Sequence, residues 1–569
     1  RLTTAEKHAI LLSSIYGVDI DRQAVEVTKL SLLLKVLEGE TDETLRHFGL
    51  FGERALPSLE QNIKCGNSLI GHEALHGLLP DPEELVRINP FDWKREFPQV
   101  FKDGGFDAVI GNPPYIRIQT MQEWAPREVE LYKTLYRSAA SGNYDIYVVF
   151  VEKGLSLLGP SGRLGFILPH KFFNAKYGEG LRTILSAGRH VAEVVHFGDQ
   201  QVFAGASTYT CLLFLGKAPT KSVKVARVHD LARWRLEREA EPGEVLASTL
   251  TAKEWVFSVG GSATLLDRLR KSPTTLGDVA ERMYQGCITS ADPIFLFKKH
   301  EPGRGSRTTR VFSVASDDWV DIETPLLKKV VRSGDIGRYE ALPSTLVLFP
   351  YDVRDQEARL LETRELRSEY PKAWQYLSDH RGTLESREKG AFRDQRWYRF
   401  GRSQNLGMWE QPKLMLPYMT QQLSAFFDET EHLYFINVTT GGYGLTLKPD
   451  APLTYEYLCA LLNSSLLNFF LRETSTPFRG GYIAASKQYI EGLPIAGLDD
   501  PEAQKQIGTL VRRTMTLRRQ LVAARSPHDQ TALRRQVDAT DHEIDRIVHR
   551  LYGLAPDEVR LVEEVTPAP

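Results

Sequence analysis

Phe106-Asp107-Ala108-Val109-Ile110 runs without a break into Gly111-Asn112-Pro113-Pro114-Tyr115. The first five residues read as a short strand and the next five as a stiff loop at its carboxyl end. Each proline lacks a backbone N–H and pushes the residue before it into an extended conformation. A plain turn would satisfy that pattern. A ligand-facing loop satisfies it too, and gives its other residues a use. Asn112 offers an amide oxygen, Pro113 a carbonyl with no competing N–H, and Tyr115 a flat ring for stacking. Open α/β sheets bind their ligands at this end of a strand.

The same alternation extends outward. Residues 1–15 have helical periodicity, followed by a strand from Tyr16 to Ile20 and a helix carrying Ala24, Val25, Val27, Leu30, Leu33, Leu34 and Leu37. A strand and turn fall at residues 61–70, an amphipathic helix at 145–158, a buried strand at 162–168, and two further strands at 191–197 and 208–215. Strands alternating with helices predict an α/β core with a mostly parallel sheet. Past Lys217 helices become scarce, and short strands, turns and aromatics dominate to about residue 500. The chain divides into a core at 1–217, a mixed α+β region at 218–500 and a helical, Arg-rich segment at 501–569.

The 569 residues carry 42% hydrophobic and 25% charged residues and a net charge of −2. That length exceeds one ordinary domain. No apolar run is long enough for a membrane span, and no secretory signal is evident. The four cysteines, Cys65, Cys211, Cys287 and Cys459, lack metal-ligand spacing, so no metal is expected. A reduced, cytoplasmic, monomeric protein is the expectation. Near-neutral charge weakly opposes nucleic-acid binding, but electrostatic footprints are local. One such footprint lies at 381–402. It holds Arg381, Arg387, Lys389, Arg393, Arg396, Arg399 and Arg402 against Glu385, Glu388 and Asp394, interleaved with Phe392, Trp397, Tyr398 and Phe400. Such side chains can neutralise phosphates and read guanine edges; a solvated charged loop is the bland alternative.

Two acceptors aimed at one amine also have a specific chemical use. The exocyclic amine of adenine is a poor nucleophile because its lone pair is conjugated into the ring. Accepting both its N–H groups favours a tetrahedral nitrogen and localises that pair.

Asn112-Pro113-Pro114-Tyr115 resembles the catalytic motif of the amino DNA methyltransferases that use S-adenosylmethionine. Tyr16-Gly17-Val18-Asp19-Ile20-Asp21 resembles that family's second motif. The resemblance implies that Asp19 holds the cofactor's ribose and Ile20 its adenine. Gly66-Asn67-Ser68-Leu69 is similar to the third motif, placing Asn67 at the adenine amine. Asp145 and residues 162–169 resemble the motifs that wall the target pocket. Gln201-Val202-Phe203 implies that Phe203 faces the flipped base opposite Tyr115; a buried core Phe is the alternative. A base can reach such a pocket only by leaving the duplex. The motif order is similar to the gamma arrangement of type IIG restriction–modification enzymes and phage-defence methylases. Gln285 to Thr289, Trp397 to Leu406, Leu462 to Leu466 and Ser486 to Pro494 resemble their specificity domains. The implied protein is a Rossmann-like methyltransferase core, a target-recognition domain that binds double-stranded DNA through Arg393, Arg396, Arg399 and Arg402, and a helical tail. The family's glycine-rich first motif has no match in residues 1–18. The expectation is therefore a core incomplete at its N-terminus, with a nuclease as one candidate for what lies upstream. The alternatives are a non-catalytic DNA-binding protein with a decayed core, or a methyltransferase acting on RNA or protein glutamine.

Overall fold

A computed structural model describes residues 2–38, 58–75, 81–140, 142–203, 208–257, 260–303, 307–437, 439–478 and 480–566. The chain forms two compact units, Arg1–Val259 and Gly260–Pro569.

In the first unit, helix α1 (Thr4–Ser14) starts at a capping box of Thr3 and Glu6. Strand β1 (Gly17–Asp19) is followed by Asp21, whose carboxylate caps helix α2 (Arg22–Leu37) by accepting from the Gln23 N–H. β1 pairs in parallel with β2 (Ile63–Cys65). A separate six-stranded sheet contains β3 (Phe106–Gly111), β4 (Leu158–Pro169), β5 (Val191–His196), β6 (Thr210–Gly216), β7 (Ser222–Arg227) and β8 (Glu241–Leu246), in the order β3-β4-β6-β5-β7-β8. β3 enters from a tight approach at Gly105, with φ +124°, where a Cβ would lie 2.8 Å from the Leu157 carbonyl oxygen.

This sheet is mixed, which corrects the expectation of a mostly parallel one. β3–β4 and β5–β7 are parallel, but β4–β6, β5–β6 and β7–β8 are antiparallel. Apolar periodicity marks strands without giving their direction, and β6 enters between β4 and β5 running against both. β3, β4 and β5 consequently run the same way and bring their carboxyl ends to one edge. The unit also extends past Lys217 to Val259, because β7 and β8 continue the sheet. Helix α3 (Tyr147–Leu157) packs Val148, Val149 and Val151 into a core shared with Leu164, Leu168, Val194 and Leu213.

Among the described residues β3 pairs on one side only, and its Ile110 is 86% exposed. Ile20 beside β1 and Val27, Leu30 and Leu34 on α2 are exposed as well. A sheet covered on both faces normally buries such residues.

The second unit contains an antiparallel sheet of β9 (Ala280–Gln285), β10 (Lys413–Pro417), β11 (Phe426–Asp428) and β12 (Gly442–Leu447), ordered β11-β10-β12-β9. Helices are more frequent here than the sequence pattern indicates. α4 (Thr363–Glu369) and α5 (Pro371–Asp379) precede the basic stretch, α6 (Arg381–Gly390) is its first part and breaks from helical geometry at Arg387, and α7 (Tyr455–Asn463) and α8 (Ser465–Thr474) follow the sheet. α7 is buried almost all round, so it lacks the two-faced pattern that advertises a helix. Ser464 caps α8, which makes Leu462 to Leu466 a helix–helix junction. Helices α9 (Pro501–Ala523) and α10 (Pro527–Leu551) belong to this unit; α9 buries Ile507 and Val511, and α10 buries Ile544 and Ile547.

Candidate active site and nucleic-acid interface

The loop after β3 is held by its own tyrosine. Tyr115 Oη donates to Asn112 Oδ1 at 2.8 Å and lies 3.1 Å from the Ile167 carbonyl oxygen on β4. The backbone beyond it is zipped to the start of α3. Ile118 N–H donates to the Tyr144 carbonyl and Ile146 N–H to the Ile116 carbonyl, both at 2.9 Å. The Tyr115 ring meets Tyr147 edge-on, with centroids 6.4 Å apart. Burial pushes the Tyr115 hydroxyl up to about 12, so it stays protonated and donates at any ordinary pH. Asn112 and Pro114 are exposed while Pro113 is buried. The loop thus presents an oriented amide oxygen beside a half-buried ring.

Asp145 lies in a satellite network. Tyr177 Oη donates to Asp145 Oδ2 at 3.3 Å and is 2.8 Å from Tyr147 Oη. Burial raises the Asp145 carboxyl above its usual range, opposed by Lys171, the Tyr177 bond and Arg117.

The residues expected at the cofactor divide into two groups. Asp19 is exposed at the end of β1, its Oδ1 accepting from the Asp21 N–H at 2.8 Å, with Ile20 58% exposed beside it. A free carboxylate oxygen and a bare aliphatic face suit a ribose diol and a purine. Asn67 is 6% exposed, and its Oδ1 accepts from the Leu69 N–H at 3.1 Å. This amide braces its own turn, and the sequence motif could not separate that use from a ligand contact.

Phe203 is 37% exposed, which sets aside a buried core role. It lies in the loop after β5, which is pinned at three earlier points. His170 and His196 flank Gly198, Gln200 Nε2 donates to the Val228 carbonyl, and Arg235 donates to the Val202 carbonyl. That loop follows β5, at the same sheet edge as Asn112.

In the second unit the basic stretch is a folded element. The aromatics Phe392, Trp397, Tyr398 and Phe400 are buried core residues. Arg387 is 7% exposed and donates to the carbonyls of Leu384, Thr289, Trp397 and Arg399, with Phe392 beneath its guanidinium at 4.1 Å. After it, Glu388, Lys389 and Gly390 have φ of 48°, 62° and 88°, a left-handed run that costs backbone energy unless held in place. Arg399 is paired with Asp394 at 2.7 Å and Arg402 with Glu388 at 2.8 Å. Lys389, Arg393 and Arg396 are exposed. Of the four cations the sequence marked for DNA, Arg393 and Arg396 are exposed, while Arg399 and Arg402 are ion-paired. Arg387 as the internal brace, and the histidines at Gly198, carried no sequence signal of their own.

Comparison with known proteins matches the Eco57I restriction-modification methylase family over residues 13–203 and the TaqI-like C-terminal specificity domain over 366–495. The chain is 28% identical over 98% of its length to the type II restriction enzyme and methyltransferase RM.Eco57I of Escherichia coli, and spans 56% of that relative. It is 25% identical over 80% of its length to the type II methyltransferase M.PaeR7I of Pseudomonas aeruginosa, covering 72% of it. Among solved structures it resembles the type IIL restriction-modification enzyme MmeI in complex with DNA, with TM-score 0.54 and 13% identity, over 98% of this chain and 72% of that one. At such identity the likeness shows the fold.

Proposed function

Because the chain joins an Eco57I-type restriction–modification methylase domain to a TaqI-like specificity domain, we propose that it serves a site-specific DNA methyltransferase. In this reading the first unit methylates N6 of an adenine flipped out of duplex DNA, within a restriction–modification or phage-defence system. The observation that carries the reading is the Tyr115-to-Asn112 hydrogen bond at the carboxyl end of β3.

Asp19 and Ile20 fit the nucleoside half of S-adenosylmethionine. Among the described residues no glycine-rich turn offers N–H donors to its methionine half. When bound, that cofactor supplies an activated methyl group. The chain's own residues do the rest. Asn112 Oδ1 and the Pro113 carbonyl accept the two N–H groups of the adenine amine and localise its lone pair. The Tyr115 ring stacks on the extruded base, and its hydroxyl keeps the Asn112 amide turned outward. Phe203 bounds the base from the other side. In the second unit Lys389, Arg393 and Arg396 neutralise phosphates, and Arg399 and Arg402 shape the loop that presents them.

Radiolabelled methyl transfer to unmodified DNA, followed by nucleoside analysis, tests the assignment. N6-methyladenine is expected, and label on cytosine would overturn it. A non-catalytic DNA-binding role is the second reading, favoured by the bare edge of β3. Absence of transfer from a cofactor-binding, DNA-binding chain would establish it.

A further inference from the structure

The first unit contains two histidines side by side, His170 just after β4 and His196 at the end of β5, with ring centroids 4.5 Å apart. They hold opposite ends of one residue. The Gly198 N–H donates to His196 Nδ1 at 3.0 Å, and His170 Nε2 lies 3.2 Å from the Gly198 carbonyl oxygen. A carbonyl can only accept, so His170 carries its proton on Nε2. The Gly198 amide can only donate, so His196 Nδ1 is bare and that ring is neutral. Gly198 has φ +58°, a left-handed turn that the pair fastens.

Two connections make this more than local packing. His170 stands three residues beyond Ile167, whose carbonyl oxygen lies 3.1 Å from the Tyr115 hydroxyl. Gly198 stands five residues before Phe203. One strand end thus braces both loops of the site.

We propose that His170 and His196 are positioning residues, a neutral imidazole pair that fixes the Gly198 turn and thereby the placement of Phe203 against the target base. The proposal rests on the adenine-pocket reading above and deepens it. The groups facing the pair are Arg227, opposite His196 on β7; Cys211, opposite it on β6; and Tyr209 and Phe173, stacked on His170. None of these favours a charged imidazole. Burial lowers His170 to about 4 and pushes His196 well below its ordinary value, with His170 and Arg227 adding to the latter. The folded values are depressed, so the clasp contributes fully above the ordinary histidine value of about 6.5 and weakens as pH falls below it. A proton on His196 Nδ1 removes the acceptor that Gly198 needs.

The full chain is tested by hydrogen–deuterium exchange and by methyl transfer to unmodified DNA. In His196→Leu, exchange across residues 197–203, normalised to intrinsic rates, rises about tenfold, as loss of one or two hydrogen bonds allows. In His196→Asn, whose Oδ1 can stand where Nδ1 stood, it stays near wild type. His170→Gln, which keeps a donor near Nε2, likewise outperforms His170→Leu. The wild type loses loop protection between pH 7 and 5.5, and His196→Asn, which keeps only the His170 contribution, loses clearly less. In transfer assays the Leu variants lose kcat more than KM for DNA. Asn112→Ala tests the pocket reading separately: transfer persisting in that variant overturns the reading, whatever the loop does. Equal exchange in His196→Leu and His196→Asn, or the same pH response in His196→Asn and wild type, overturns the clasp. The Asn and Gln variants and the wild-type pH response decide the matter if the Leu variants fail to fold.

Discussion

The hydroxyl of Tyr115 donates to the side-chain oxygen of Asn112, three residues earlier, at 2.8 Å. The ring that would stack on a base therefore also aims the amide that would accept its amine. Tyr115→Phe keeps the stack and loses the aim, so methyl transfer should fall roughly tenfold, about one hydrogen bond's worth. Asn112→Ala should cost on the order of a hundredfold or more, as for other lost transition-state contacts. DNA affinity by gel shift should stay near wild type in both. The hydroxyl is held up to about 12 by burial, so the rate should show no inflection from Tyr115 between about pH 6 and 10.

The basic element yields a graded prediction. Arg393→Ala combined with Arg396→Ala removes two exposed cations with no ion pair among the described residues. Affinity should fall for all sequences, and the slope of log affinity against log salt should shrink by roughly two. Arg387→Met should instead unfold the segment, because four carbonyls lose their donor. Protease sensitivity near residue 388 reports that outcome. A salt slope unchanged in the double variant would remove this segment from the interface.

A third prediction concerns the core of the second unit. Lys413 and Asp428 pair at 2.6 Å with both side chains at 0% exposure, and Asp428 also accepts from the N–H groups of Leu433 and Glu431. Removing the cation strands a buried carboxylate. Lys413→Met should cost about 3–5 kcal/mol in denaturant unfolding, and adding Asp428→Asn should recover part of it.

The sequence made the candidate site's loop legible and its mechanics much less so. The β3 strand and its loop were readable because an apolar run meeting two prolines has few structural meanings. Asp19 was readable as an acid at a strand end, and it is exposed there. Tyr115 was read as a ring only, since a hydroxyl's partner depends on a loop geometry that spacing does not fix. Phe392, Trp397, Tyr398 and Phe400 were read as interleaved with the basic residues of the footprint, and they are core. Composition cannot tell which side of a surface an aromatic faces. Arg387 was counted with its neighbours for the same reason. The direction of β6 and the buried helices α7 and α8 were hidden because apolar runs encode burial, not strand sense or a helical face.

Arg387 has one more consequence. Its hydrogen bonds go to carbonyls rather than carboxylates, and burial lowers it only to about 10, so it remains charged at neutral pH. Arg399 and Arg402 on the surface are largely cancelled by Asp394 and Glu388. A cation set in a low-dielectric interior is poorly screened by salt and projects its field outward. The loop can therefore remain electropositive toward an approaching polyanion on a chain whose net charge is −2, attracting it over a distance through a residue that never touches it.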